Sequence, residues 1–166
     1  MSNFKTTPRS LASEQIEAGN RYFAIYSALA NDTDAIEVRI QTPASPHIHI
    51  YFDIECALAA TVQLWAETTK THVTGNAIVG LNRDFRSSNT SGLIICHTPA
   101  GTQSGDADLL EYVGAADTAG KVTAGGSAEA DEEFILAPST AYLITATSRA
   151  DNNALSIILD WWEHYV

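Results

Sequence analysis

Apolar and polar side chains alternate along most of the chain from residue 21 onward, with a period of two residues. In the segment HIHIYFDIE, one side carries four apolar residues: Ile48, Ile50, Phe52 and Ile54. The closing segment NALSIILDWWEH repeats the pattern with Leu155, Ile157, Leu159 and Trp161. Because successive side chains of a strand point to opposite faces of a sheet, both segments are predicted to be strands with one buried face.

Nine segments are predicted to be strands, and turn-forming stretches such as NDTD, TPASP, APST and RADNN separate several of them. They cover residues 22–29, 35–42, 47–55, 60–68, 92–97, 109–114, 133–137, 140–147 and 153–164. No long helical pattern accompanies them, so the chain is predicted to be all-β and to form an antiparallel β-sandwich. This number of strands favours a jelly-roll-like sandwich over the seven-stranded immunoglobulin-like arrangement.

Two regions depart from the alternation. Residues 1–20 are predicted to form an N-terminal arm, with a short helix over 13–18 capped by Ser13, and residues 21–166 a single β-sandwich domain. An arm needs a surface to lie on, so its two basic residues, Lys5 and Arg9, are candidates for an interface. Residues 115–131, AADTAGKVTAGGSAEAD, are rich in Gly and Ala and are predicted to form a mobile surface loop.

The closing segment also carries apolar side chains on its second face. Ile158 and Trp162 point away from Trp161 and its neighbours, which are predicted to lie in the core. A strand with two apolar faces is buried on both sides. The sequence leaves open whether another subunit or the Gly/Ala-rich loop covers the second face, so Ile158 and Trp162 are interface candidates.

Charge limits the classes of partner. Hydrophobic residues make up 45% of the chain and charged residues only 17%, with a net charge of −11. Nucleic acid and anionic membranes both require clustered Lys and Arg, so neither is expected as a partner. No apolar run reaches the ~20 residues that cross a bilayer. The start, MSNFKTTPRSLASEQIE, lacks a signal-peptide pattern, so synthesis in a cytoplasm-like compartment is expected.

The tract LNRDFRSSNTSG, residues 81–92, is the most polar connection in the chain. Two of the nine basic residues, Arg83 and Arg86, lie within four positions of each other. No nucleophile, general base or metal set accompanies them, so the tract is predicted to be a β-connection whose Asn and Ser side chains satisfy turn backbone. Arg83 and Arg86 are predicted to pair with Asp84 or with acidic groups across a subunit boundary, which makes both interface candidates.

The sequence patterns that would indicate metal binding or catalysis are weak. His47 and His49 share one strand face with Glu55, and His97 is the only further histidine that could complete a cupin-like metal site. The flanking glycines of cupins are missing, so this reading ranks below a histidine pair at a surface or interface. No G-x-S-x-G elbow or phosphate loop is present, and neither an enzyme activity nor a cofactor is expected. Cys56 and Cys96 lie in apolar segments and are predicted to be buried thiols.

Three tracts follow one another in a distinctive order in the second half of the chain. The first uses Asn82, Arg83, Arg86, Ser88 and Ser91; the second uses Glu133, Ile135, Leu136, Pro138, Thr140, Tyr142 and Leu143; the third uses Leu159, Asp160, Trp161, Trp162, Glu163 and His164. With the Gly-rich loop between the first two, this order resembles a family of small virion proteins of tailed bacteriophages.

The resemblance implies a non-enzymatic virion structural protein. Its first expectation is a capsid decoration or cement protein that binds the major capsid protein on the outer capsid surface, often as a homotrimer, and stabilises the head. The alternatives are a tail-associated or carbohydrate-binding sandwich for host recognition and, ranked lower, the cupin-like metal-binding protein.

Overall fold

The computed structural model describes residues 11–113, 122–124 and 133–164. Its helical elements are α1 (Leu11–Glu17) and one 3₁₀ turn (Thr74–Asn76). The strands are β1 (Arg21–Ala30), β2 (Ala35–Gln41), β3 (His47–Cys56), β4 (Ala60–Ala66), β5 (Ala77–Ile78), β6 (Leu81–Asn82), β7 (Ile94–His97), β8 (Leu109–Val113), β9 (Val122–Ala124), β10 (Phe134–Leu136), β11 (Ala141–Ser148) and β12 (Asn153–His164).

The strands form two antiparallel sheets that pack against each other, which confirms the all-β sandwich. The first sheet has the order β10-β3-β12-β1-β6, with β9 also paired to β3, and the second has the order β5-β7-β2-β11-β4-β8. Eight strands therefore run β10-β3-β12-β1 in one sheet and β2-β11-β4-β8 in the other. Apart from β4 and β8, which follow each other within the second sheet, successive members of these eight strands lie in opposite sheets, which is the jelly-roll arrangement.

The inner faces of the two sheets meet in one hydrophobic core. The alternating residues that the sequence places on the buried side of β3 and β12 are 0–2% exposed, and Trp161 is fully buried among them. The two cysteines are also buried and form no disulfide, as expected. Cys56 lies in the core on β3, where burial raises the pKa of its thiol.

The predicted strands are all present, with ends displaced by at most two residues. The two-residue strands β5 and β6 were missed, because two residues carry too little alternation to be seen. The expectation of a loop over 115–131 is wrong at Val122–Ala124, which form β9 against the end of β3. The rest of that predicted loop lies outside the described residues.

The arm is described from residue 11 onward. Its helix spans Leu11–Glu17, so Ser13 lies within the helix and is not its cap. The helix ends where the N–H of Gly19 donates to the carbonyl of Ile16 and the N–H of Asn20 to that of Gln15. Gly19 has φ 70° in this turn, a backbone conformation that glycine adopts without strain. No described helix is long and apolar enough to cross a bilayer.

Strand β11 is buried on both faces. Its inward residue Ile144 is 1% exposed and the outward Leu143 is fully buried. The connection after β4 lies across this outer face, since Lys70 bonds the carboxylate of Glu37 on β2 with both contacts at 2.6 Å. The carbonyl of Lys70 also accepts a bond from Arg39 of the same strand. The chain itself thus supplies cover for the outer face of the second sheet.

Candidate functional site

The outer face of the first sheet is the candidate site. Strand register places β12 in its centre, with β1 on one side and β3 on the other. One row across these strands joins Phe23, Asp160 and Tyr51, and the next joins Ile25, Ile158 and Asp53. Aromatic, aliphatic and charged side chains therefore share one surface.

A groove of about 390 Å³ runs over this face beside the helix of the arm. Leu11, Ala12 and Gln15 of α1 line one side of it. The strands contribute the remaining side chains: Arg21, Tyr51, Asp53, Arg83, Ile158, Asp160 and Trp162. The groove thus has an apolar floor and a charged wall, and part of the N-terminal arm forms its rim.

An ion cluster centred on Asp160 forms the charged wall. One carboxylate oxygen accepts a 2.8 Å bond from Nε of Arg21, and the other accepts a bond from Arg83. The guanidinium of Arg83 also lies over the ring of Phe23, 5.1 Å from the ring centre. Arg83 is therefore held by its own chain, and its partner is Asp160 and not Asp84. Asp53 also lines the groove, so the two arginines face two carboxylates on this part of the face.

The beginning of the tract 81–92 ties the arm to the sandwich. The carbonyl of Gly19 accepts bonds from the side-chain amides of Asn82 at 2.8 Å and Asn89 at 3.2 Å. The other end of the Asn82 side chain accepts the backbone N–H of Asp84, and Ser87 accepts that of Asn89. The prediction that Asn and Ser side chains satisfy the turn backbone is confirmed.

The end of the same tract binds a buried carboxylate. Glu163 is only 2% exposed, and its Oε1 accepts bonds from the Ser91 hydroxyl at 2.6 Å and the Gly92 N–H at 2.9 Å. The Ser91 oxygen in turn accepts the indole N–H of Trp161 and the backbone N–H of Leu93. Ser91 therefore links the tract to the last residues of the closing strand. The sequence contained no local signal for this contact.

Trp162 lies beside the histidine pair on the outer face. Its indole N–H donates to Glu133 at 2.6 Å, and its ring stacks on His49 with the ring centres 3.9 Å apart. His49 Nδ1 lies 3.3 Å from the same carboxylate. Through its bond with Trp162, Glu133 thus joins the second tract of the sequence to the third. Burial and the negative charge of Glu133 together also raise the pKa of Tyr51 above its ordinary value.

Arg86 lies apart from the groove and pairs locally. Its Nε donates to Asp84 at 2.9 Å, within the same turn, although the Arg86 side chain is 83% exposed. This hydrogen bond lowers the pKa of Asp84 and raises that of Arg86. The predicted pairing with Asp84 is confirmed for Arg86 alone.

The described residues hold no group of three His, Cys, Asp or Glu side chains that could bind a metal ion. A cupin-like set would need His97 beside His47 and His49. Strand β7 instead places His97 in the second sheet, where its ring stacks on Tyr26 with centres 4.5 Å apart. The structure thus separates the histidines that the sequence offered as ligands.

The interface candidates divide into three groups. Arg83, Ile158 and Trp162 all line the groove, so the fold brings together residues that are up to 79 positions apart. Arg86 lies outside the groove on the same connection. Lys5 and Arg9 lie outside the described residues. The resemblance tracts include Asp160, Glu133 and Glu163, but sequence reasoning did not predict their contacts, because their partners come from distant segments.

Several large apolar side chains remain exposed around β1 and β6. Leu29 is 75% exposed and Ile25 54%, both on the outer side of β1. Leu81 of β6 is 51% exposed, and Val79 just before it is 77% exposed. Ile25 lies opposite Ile158, which lines the groove, and Leu81 lies opposite Phe23, so exposed apolar side chains adjoin the groove. Contiguous apolar patches mark contact surfaces.

Comparison with models of protein families, with curated proteins and with solved structures finds no match for the chain.

Proposed function

We propose that this chain is a non-enzymatic virion structural protein of a tailed phage that binds the outer capsid surface and stabilises the head. The observation that carries the proposal is the outer face of the first sheet, where exposed apolar side chains adjoin a groove rimmed by the arm. Such a surface suits contact with another protein. A protein that binds the assembled shell stabilises it by mass action.

The residues that carry the family resemblance support the proposal in a second way. Arg83 of the first tract bonds Asp160 of the third, and Ser91 bonds Glu163. Glu133 of the second tract bonds Trp162. The three tracts therefore meet around the end of β12 and hold the arm, the long connection and the closing strand together. Motifs whose residues bond one another in this way are expected in proteins that share a scaffold used for contact with other proteins.

Addition of the purified protein to heads that lack it tests the proposal. Heads of the phage that encodes the chain should bind it in a saturable way, and bound heads should survive higher temperature. Cosedimentation measures the binding, and electron microscopy locates the added density. Absence of binding at micromolar concentration would contradict the virion role.

Two matched variants locate the contact face. Ile158→Glu places a charge in the groove on the first sheet, whereas Ile94→Glu places one on the outer side of the second sheet, at a residue that is 52% exposed. Loss of head binding only in Ile158→Glu supports the groove face. Loss only in Ile94→Glu moves the contact to the other sheet while leaving the virion role intact. The trimer implied by the resemblance stays a prediction, which the mass of the free protein tests.

A carbohydrate-binding sandwich for host recognition is the second candidate. Tyr51 and Trp162 line the groove next to charged side chains, and sugar sites combine aromatic rings with such polar groups. However, Trp162 is 9% exposed and one face of its ring is covered by His49. Glycan binding that disappears in Trp162→Ala, together with no binding to heads, would favour this candidate.

A further inference from the structure

Within the part of the chain that the structure describes, strand β1 leaves one side of its backbone without a paired strand from Ala24 to Ala30. It pairs with β12 along its whole length, Arg21–Ala30, but on the other side β6 pairs only with Tyr22 and Phe23. Within the described ranges, no strand pairs with residues 24–30 on that side. The Arg21 carbonyl accepts the N–H of Arg83 from that side. Because backbone groups alternate between the two sides of a strand, Ile25, Ser27 and Leu29 also direct theirs outward.

This edge lacks the usual protection against pairing. Natural edge strands carry charges, prolines or bulges that prevent contact with other chains. Residues 22–30, YFAIYSALA, contain no charged residue and no proline. The outer side chains Ile25 and Leu29 are both more than half exposed. The edge is therefore a template on which a further strand can form hydrogen bonds.

We propose that the edge of β1 pairs antiparallel with β1 of a second copy of this chain, centred on Ser27. In this register Ser27 lies opposite Ser27 of the other copy, and Ile25 lies opposite Leu29 twice. The three outward residues of each copy then form about six backbone hydrogen bonds. Two first sheets join into one continuous sheet across a two-fold axis.

The sequence of the strand favours a second copy as the occupant. Residues 24–30 read AIYSALA, with Ala at both ends, a large aliphatic residue two positions either side of the centre, and Ser in the middle. This near-symmetry makes the strand complementary to itself in an antiparallel pair. Two copies of a chain with a net charge of −11 repel each other. Pairing through this uncharged strand adds no further like-charge contact to that repulsion. The pairing is independent of the proposed virion role, and it gives a homodimer in place of the homotrimer that the resemblance implies.

A cysteine cross-link tests the register. Residues opposite each other in a hydrogen-bonded antiparallel pair have Cα atoms about 5.5 Å apart, which a disulfide can span. Ser27→Cys should therefore form a covalent dimer under mild oxidation, since Cys56 and Cys96 are buried. Ser156→Cys is the matched control, because Ser156 bonds the Ser27 hydroxyl at 2.8 Å from the neighbouring strand inside the sheet. It should cross-link at least tenfold more slowly.

The mass of the free protein is the second measurement. Light scattering at about 100 μM should give twice the mass of one chain. Leu29→Lys should give single chains. Ile135→Lys, at an exposed position on the opposite edge of the first sheet, should leave the dimer intact. A monomeric or trimeric native protein overturns the proposal, because a two-fold contact closes at two copies. Equal cross-linking of the two cysteine variants also overturns it.

Discussion

At the residue scale, the hydroxyl of Ser91 joins the polar tract to the closing strand. Its hydroxyl donates to the buried carboxylate of Glu163 and accepts from the indole of Trp161. Both partners are almost fully buried, so neither can form a hydrogen bond with water if the hydroxyl is removed. One small side chain thus satisfies a charge and a donor on the closing strand.

Replacement of Ser91 by alanine should destabilise the protein by ~2–4 kcal/mol, because a buried carboxylate and a buried indole N–H each lose a hydrogen bond. Urea unfolding followed by tryptophan fluorescence measures the change. Ser88→Ala is the matched control, since Ser88 lies in the same tract and is exposed, and it should change stability by less than ~0.5 kcal/mol. Equal losses in the two variants would show that the Ser91 contacts contribute little.

Arg86 and Asp84 form a second residue-scale test. Arg86→Ala should raise the pKa of Asp84 towards its ordinary value, because the hydrogen bond from Arg86 lowers it. A lowered carboxyl pKa adds stability above the unfolded-state pKa, and this stability is lost as pH falls through the folded-state pKa. Since Arg86 is mostly exposed, the loss at pH 7 should be small.

Carboxyl NMR titration measures the pKa of Asp84 in both proteins. If Arg86 also pairs with acidic groups across a subunit boundary, the alternative that the sequence left open, Arg86→Ala should weaken assembly more than folding. Equal losses in assembly and folding would refute that role.

At the scale of elements, the arm and the sandwich are joined at one turn. No residue of α1 is buried, whereas Gly19 and Asn20, which follow it, are bonded by the tract and by β12. The N–H of Glu163 donates to the Asn20 carbonyl at 3.0 Å. The helix is therefore attached through its end and contributes to the groove without contributing to the core.

Deletion of residues 1–18 should leave the sandwich folded and weaken binding to heads. The unfolding free energy should change by less than ~1 kcal/mol, because the deleted helix buries no side chain. Thermal unfolding and cosedimentation with heads measure the two effects separately. Unchanged binding would show that the arm takes no part in the contact, whereas loss of folding would show that it belongs to the domain.

At the scale of the whole molecule, the fold leaves the function open. Jelly rolls include viral capsid domains, lectins and cupins, which are the three classes that the sequence left in competition. Surface chemistry therefore has to decide between them. In this chain the separated histidines give no described metal set, while the outer face of the first sheet presents apolar groups and a groove.

Association between copies should strengthen as salt is added. Each copy carries a net charge of −11, so long-range repulsion opposes pairing, while the β1 edge carries no charge that salt would screen. Raising ionic strength from about 10 mM to about 150 mM shortens the screening length from ~30 Å to ~8 Å. Sedimentation equilibrium should then show tighter dimers, and weaker dimers at high salt would indicate that ion pairs hold the copies together.

The amino-acid sequence by itself determined the strands and the class of fold. Alternation with a period of two is a local property, so the long strands and their buried faces could be read from neighbouring residues. The same local reading identified Trp161 as core and the Asn and Ser residues as turn-forming. It failed for β5 and β6, because two residues are too few to show a period, and for β9, which lies in a Gly- and Ala-rich segment without alternation.

Only the tertiary structure decided which side chains meet. Asp160 pairs with Arg83, and Glu163 with Ser91, across more than 70 residues of sequence. Those contacts depend on the register of β12 against β1 and on the path of the tract, neither of which is encoded by any single segment. The same holds for burial: β11 is covered on both faces by its own chain, while β12 keeps a groove on its outer face. Local pattern selects the strands, and long-range packing selects the surface that remains available for partners.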